Sequence, residues 1–140
     1  MTRGAGDVGF TGVIELLTAA SSLVIPTIRT VAADLAARVD FDLDSIDDLR
    51  MAVDDACAML VRIAAPNARL RCEFSVRSDQ MRITTEVDAA VDALPTGSFG
   101  WRVLTCLADE VTAVGLPTAP GQYARVCISL TKNSGTSQGP

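Results

Sequence analysis

Apolar positions recur along this chain with two periods. Between Ser45 and Ala64 they fall at Ile46, Leu49, Val53, Ala56, Cys57, Leu60 and Ala64. This is the three-and-four spacing of a helix with one stripe turned to a core. A second stripe on the same stretch runs Asp48, Ala52, Asp55, Met59 and Arg62, putting acid, thioether and base in line. A solvated face rarely needs a methionine, so this stripe reads as a surface, an active site or the remains of one.

The other helical stretch begins near Ser21 or Ser22, either of which can cap it, and runs to about Val39 with Pro26 tolerated in its first turns. Ile28, Val31, Leu35 and Val39 mark its apolar stripe. A polar link, DFDLD, joins the two, and Ser45 with Asp48 makes a weak capping box for the second. Pro66 and Asn67 stop that helix.

Elsewhere the period is two. GVIELLTA, Gly12 to Ala19, reads as a strand. RLRCEFSVR and QMRITTEVD alternate around a Ser78-Asp79 turn, which predicts an antiparallel hairpin. A small-residue loop ends at Gly100, and Trp101 to Ala108 is a short helix. EVTAVG and YARVCISLT are two more strands, separated by the turn LPTAPGQ. Strands that follow one another without helical crossovers predict a two-layer α+β sandwich, a mostly antiparallel sheet with helices on one face. The expected organisation is one domain over 12–132, with a flexible N-terminus over 1–11 and a flexible tail over 133–140.

Composition narrows the function. The chain of 140 residues is 49% hydrophobic, with a mean hydropathy of +0.30, as expected of one compact domain. A net charge of −5 gives no attraction to nucleic-acid phosphates, so direct nucleic-acid binding is not expected and a basic protein partner suits it better. Nearly all the basic residues are arginine, with Lys132 the single lysine. No stretch approaches the roughly 20 apolar residues of a membrane span, and the N-terminus lacks a signal-peptide pattern, so the expected compartment is the cytoplasm. Cys57, Cys72, Cys106 and Cys127 are scattered without a paired spacing, and there is no histidine. No metal site is expected from them, and Ser-His and Cys-His catalysis are excluded.

Four stretches carry a resemblance. LRMAVDDACAMLV, GSFGWRVLTCLADEV, ARVCISLTK and IRTVAADLAARVD resemble, in order and spacing, the N box, second glycine box, closing strand and first helix of the RsbW/SpoIIAB-type anti-sigma factors. These are serine kinases of the GHKL (Bergerat) ATPase superfamily, with a histidine-kinase-like ATPase fold, and the similarity looks closest to the actinobacterial UsfX-like branch. It implies a cytoplasmic, dimeric anti-sigma factor acting in transcription regulation of a stress response. Its partners would be an alternative, stress-type sigma factor and an anti-anti-sigma factor that releases it. The family's ATP site falls on Asp55, Met59, Glu86, Ser98 and Gly100.

The departures from the pattern concern that site. Asp55 stands for the catalytic glutamate and can act as a base, one methylene short. Met59 stands for a magnesium-holding asparagine. Glu86-Val87-Asp88-Ala89-Ala90 lacks the glycines of the first box, Ser98 replaces one in the second, and no lysine or histidine is near to neutralise phosphate. The resemblance therefore implies a degenerate ATP site, with ATP bound weakly and Mg²⁺ doubtful. The alternative is an active kinase that phosphorylates the anti-anti-sigma factor. Gly97 and Gly100 are also explained by a turn with an N-cap at Ser98. Arg29 falls where the family places a sigma-contacting arginine, or is an ordinary exposed arginine on an amphipathic helix.

Overall fold

The computed structural model describes residues 11–90, 95–116 and 119–135. The expectations for residues 1–10, for the loop at 91–94, for 117–118 in the last turn and for the tail at 136–140 lie outside these. Five strands form one sheet, β1 (Gly12–Ala19), β2 (Arg69–Val76), β3 (Gln80–Ala89), β4 (Glu110–Leu116) and β5 (Ala124–Asn133). Their order across the sheet is β1-β2-β3-β5-β4, and every neighbouring pair is antiparallel. Three helices, α1 (Ile25–Arg38), α2 (Leu43–Ile63) and α3 (Phe99–Leu107), complete the α+β sandwich.

Strict alternation fixes which sheet face meets the helices. On β2 and β3 the buried residues are Leu70, Cys72, Phe74 and Val76, and Met81, Ile83, Thr85, Val87 and Ala89. Their neighbours Arg71, Glu73, Arg82, Glu86 and Asp88 turn to the other, open face. The core joins Phe74, Met81, Ile83, Ile128 and Leu130 of the sheet to Ile28, Leu49, Val53, Leu60 and Leu104 of the helices.

In α1 the fully buried positions include Ala32 and Ala36, while Val31 and Val39 are only partly buried. The stripe is therefore rotated toward its small residues, where α1 can approach α2 closely. A short 3-10 turn at Ser22–Val24 precedes α1, its first N–H groups held by Ser21, whose Oγ accepts from the Leu23 N–H at 3.1 Å. Pro26 sits in the first turn of α1, where its missing N–H costs nothing.

The start of α2 differs from the expected capping box. Asp42 is the N-cap, its carboxylate accepting from the Ser45 N–H at 3.3 Å, and the helix begins at Leu43. Ser45 is buried instead. Two features draw the helix start upstream: Phe41 is buried just before the cap, and the C-terminal segment packs over the first turn. β5 runs to Asn133, past the expected boundary, and the buried Ser134 donates its backbone N–H to Asp79 at 2.9 Å.

Gly135 closes this contact with φ of +77°. A Cβ there would lie 2.5 Å from Asp42 Oδ1 and 2.8 Å from Ser45 Oγ. Gly135→Ala therefore meets both an unfavourable backbone conformation and a collision, and is expected to lower stability by about 1–3 kcal/mol. Urea unfolding followed by circular dichroism checks this, and an unchanged midpoint would show that the strap over α2 contributes nothing.

Candidate functional site

The second stripe of α2 is a packing face. Ala52 and Met59 are buried, Asp48 and Asp55 are partly covered, and only Arg62 is exposed. α3 lies along this stripe. At its N-terminal end a Cβ on Gly100 would stand 3.3 Å from Met59 Cε, so glycine lets the helix backbone settle against the thioether. Ser98 caps the helix there, its Oγ accepting from the Trp101 N–H at 3.1 Å, as expected of an N-cap. At the other end the Lys132 ammonium donates to the Leu107 carbonyl at 2.9 Å and pairs with Asp48 at 3.2 Å. A cation on the last carbonyls suits the helix dipole. With only 13% of its side chain exposed, Lys132 ties β5, α2 and α3 together.

The two acids at the centre of α2 have different surroundings. Asp54 accepts from Arg29 at 2.8 Å, an ion pair that joins α2 to α1. Among the described residues Asp55 has no such ion pair; burial pushes its carboxyl above the ordinary value, the charge of Asp54 adds to this, and Arg62 opposes it. Asp55, Met59, Ser98 and Gly100 are thus carried by two helices in contact.

Glu86 does not join them. Its even position on β3 sends the side chain to the open face of the sheet, away from the helices. There it lies 3.6 Å from Arg71 and 3.9 Å from Arg125. With Leu17, Asn67, Arg69 and Asp88 these residues line a shallow hollow of about 290 Å³. Grouping Glu86 with the helix-side residues is corrected by this parity. Arg29 differs from the freely exposed arginine of an amphipathic helix: its side chain is about one-third exposed and paired with Asp54.

No family model matches the chain. Two curated relatives, both named Anti-sigma-F factor RsbW and from Mycobacterium tuberculosis strains CDC 1551 / Oshkosh and ATCC 25618 / H37Rv, are each 40% identical over 101 residues. The chain is a relative of the RsbW-type anti-sigma factors. The match takes in 70% of this chain, which spans 59% of the length of those curated relatives. A solved histidine kinase domain, from the Erythrobacter litoralis EL346 blue-light activated histidine kinase, aligns with 78% of this chain and 59% of its own at 16% identity. Its TM-score of 0.45 is too low for the likeness to bear on the chemistry.

Set against the magnesium-ATP site that the sequence resemblance implies, the donor set fits poorly. Mg²⁺ takes hard oxygen ligands, and beside Asp55 the helix offers the buried thioether of Met59. Ser98 Oγ is used in capping α3. Among the described residues no cluster of three or more acidic, cysteine or histidine side chains could hold a metal, and no helix is long and apolar enough to cross a membrane. Sequence reasoning missed Asp42, Lys132 and Gly135. The single lysine was the one available signal, since an isolated lysine in an arginine-rich chain invites the question of what its compact ammonium does.

Two substitutions probe this face. Met59→Ala removes a side chain that is 5% exposed and is expected to cost about 2–5 kcal/mol, read as a lower urea midpoint. Asp55→Asn is expected to act in the opposite sense. A carboxyl whose folded value is raised binds its proton more tightly in the native state, so ionised Asp55 opposes folding above that value. The asparagine variant should melt higher at pH 7, and the gain should vanish as pH falls through the raised value. A gain that persists at acid pH would overturn this account.

Proposed function

We propose that this protein is an anti-sigma factor that sequesters an alternative, stress-type sigma factor and is relieved by an anti-anti-sigma partner, with a degenerate ATP site. The similarity to the RsbW proteins supports the class. The observation that carries the finer reading is Met59, buried beneath Gly100 where an oxygen ligand for magnesium would be required. Control is then stoichiometric: two partners compete for one protein, and each ~1.4 kcal/mol of difference in affinity moves their ratio tenfold. ATP, if taken up, binds weakly and without help from magnesium. The protein acts in the cytoplasm.

A second reading keeps catalysis. Asp55 retains a carboxylate of raised basicity on the face of α2 next to α3, which favours an active ATP-dependent kinase acting on a serine of the anti-anti-sigma factor. Capture from native lysate, scored by mass spectrometry for a sigma factor and a small anti-anti-sigma protein, tests the first reading. Radiolabelled ATP with the captured antagonist separates the two. The expected result is sigma-factor capture without phosphotransfer; transfer that disappears in Asp55→Ala would establish the kinase.

A homodimer belongs to the same reading. The open sheet face supports it, since Val13 and Leu17 on one edge strand and Val114 and Leu116 on the other are each about half exposed on that face. Between them run the Arg71–Glu86 and Arg125–Asp88 pairs. Light scattering of the wild type and of Leu17→Glu reads the association directly.

Arg29 is the partner-binding residue in this proposal, and its bond to Asp54 makes the test two-sided. Arg29→Glu removes an attraction for an acidic group on the sigma factor and sets two acids against each other. Asp54→Asn leaves Arg29 in place and loosens its internal partner. The expected pattern in surface plasmon resonance is a loss of at least about thirtyfold, roughly 2 kcal/mol, for Arg29→Glu. Asp54→Asn should keep or strengthen binding. Equal losses in both variants would mean that the ion pair serves the fold alone.

A further inference from the structure

Two large apolar side chains of α2 stay outside the core. Leu43 is 78% exposed and Met51 52% exposed. They stand on one row of the helix with the exposed Asp47 midway between them. At 1.5 Å per residue their positions are roughly 12 Å apart along the axis. Leu49, Val53 and Ala56 of the same helix are fully buried, so this row is turned away from the sheet.

The acids around the row divide into two kinds. Asp42 caps the helix and Asp48 pairs with Lys132, so both serve the fold. Asp44 and Asp47 are exposed beside Leu43 and Met51. Asp44 has no ion pair among the described residues, and Asp47 has only the exposed Arg50, 3.8 Å away. Arg50 is the one cation of α2 before Arg62. The helix dipole accounts for an acid in the first turn. It does not account for a leucine and a methionine held in water on either side of a carboxylate. The short aspartate side chains keep their charge near the backbone and leave the two apolar tips protruding.

We propose that the row Leu43–Asp47–Met51 docks a basic amphipathic helix of a protein partner. Leu43 and Met51 take its aliphatic side chains, and Asp44 and Asp47 take its lysines or arginines. Charge selects this occupant. A second copy in a twofold contact would set the same aspartates against one another. An anionic lipid or nucleic-acid surface is repelled, and a neutral segment leaves the carboxylates without a counter-charge. The thioether of Met51 adapts its shape to a partner more readily than a branched side chain does. One turn beyond Met51 the row reaches Asp54 and its partner Arg29. The inference therefore rests on the reading of this protein as one that sequesters a protein partner, and extends the contact surface from Arg29 along α2.

A fluorescein-labelled peptide with leucines and lysines at helical spacing is the probe, and a scrambled peptide of the same composition is the control. Fluorescence anisotropy gives the affinities, and amide chemical shifts locate the contact. The expected result is that only the helical peptide binds, with shifts centred on residues 43–51. Leu43→Ser with Met51→Ser should weaken it by at least about tenfold. Asp44→Asn with Asp47→Asn should weaken it and flatten its salt dependence. Both changes fall on exposed side chains, so the thermal midpoints should stay close to that of the wild type. Equal binding of the scrambled peptide would reduce the effect to charge alone and overturn the proposal. So would an unchanged affinity after Leu43→Ser with Met51→Ser, or shifts centred elsewhere. Shifts at 43–51 that grow with protein concentration without peptide would make a second copy the occupant and overturn it too. The sigma factor does not enter this measurement. Its absence from the lysate capture would strike the proposed function and leave this surface standing. A sigma factor captured while the peptide fails to bind at 43–51 would strike the surface alone.

Discussion

Helix α2 is buried on two sides, and the rest of the domain is arranged around that constraint. Its first stripe lies on the sheet through Leu49, Val53 and Leu60, while its second, through Ala52 and Met59, is covered by α3. A helix with two apolar faces needs two separate layers to cover it. The sheet supplies one. The other is only nine residues long, too short to be stable alone, and is held in place at both ends. Ser98 satisfies its first amides and Lys132 its last carbonyl. The Asp48–Lys132 pair closes the arrangement by returning to α2 itself. The two-sided burial, the capped short helix and the low-exposure lysine are one solution to one packing problem.

Sequence periodicity made most of this fold legible. β1 was readable to the residue, because alternation over GVIELLTA has no competing helical reading. The β2–β3 hairpin and the five-strand antiparallel sheet followed from strands lacking crossovers. What escaped was long-range. The packing of Gly135 against the Asp42 cap, across more than 90 residues of sequence, is encoded by no local pattern. The candidate site was half legible. Asp55, Met59, Ser98 and Gly100 sit on helices that do touch, whereas Glu86 was misplaced because motif spacing does not record strand parity. One step along β3 exchanges the core face for the open one. Arg29 could be read as an amphipathic flank, but its pairing with Asp54 needed the crossing of α1 and α2.

Charge divides the molecule as clearly as burial does. Between Ile25 and Ile63 there are eight aspartates and four arginines, so the first two helices and their link carry most of the net negative charge. On the sheet face opposite the helices, Arg71 and Arg125 are matched by Glu15, Glu86 and Asp88 in side-to-side pairs. Pairs this exposed contribute little stability. They do set the character of each surface: the helical side repels acidic partners except where an arginine such as Arg29 is presented, and the sheet side offers alternating charge between aliphatic edges. A partner that engages Arg29 has to compete with Asp54, which raises specificity at the expense of raw affinity.

The substitutions around α3 make sense together rather than singly. A methionine at position 59 needs a neighbour without a side chain, and Gly100 is that neighbour, with the thioether methyl 3.3 Å from where a Cβ would stand. Gly97 has no such neighbour within 4 Å and an ordinary backbone, so nothing in the packing requires it. Ser98 is more useful as a cap than a glycine would be, since only a side-chain oxygen can accept the Trp101 amide. Met59, Gly100 and Ser98 are thus explained by helix packing and capping. A phosphate cradle would ask for the reverse: several bare backbone amides, an oxygen ligand on α2, and room between the helices. The close contact of α2 with the start of α3 and an open polar cleft at the same place are competing uses of the same few ångströms, and Met59 and Gly100 are found in the first.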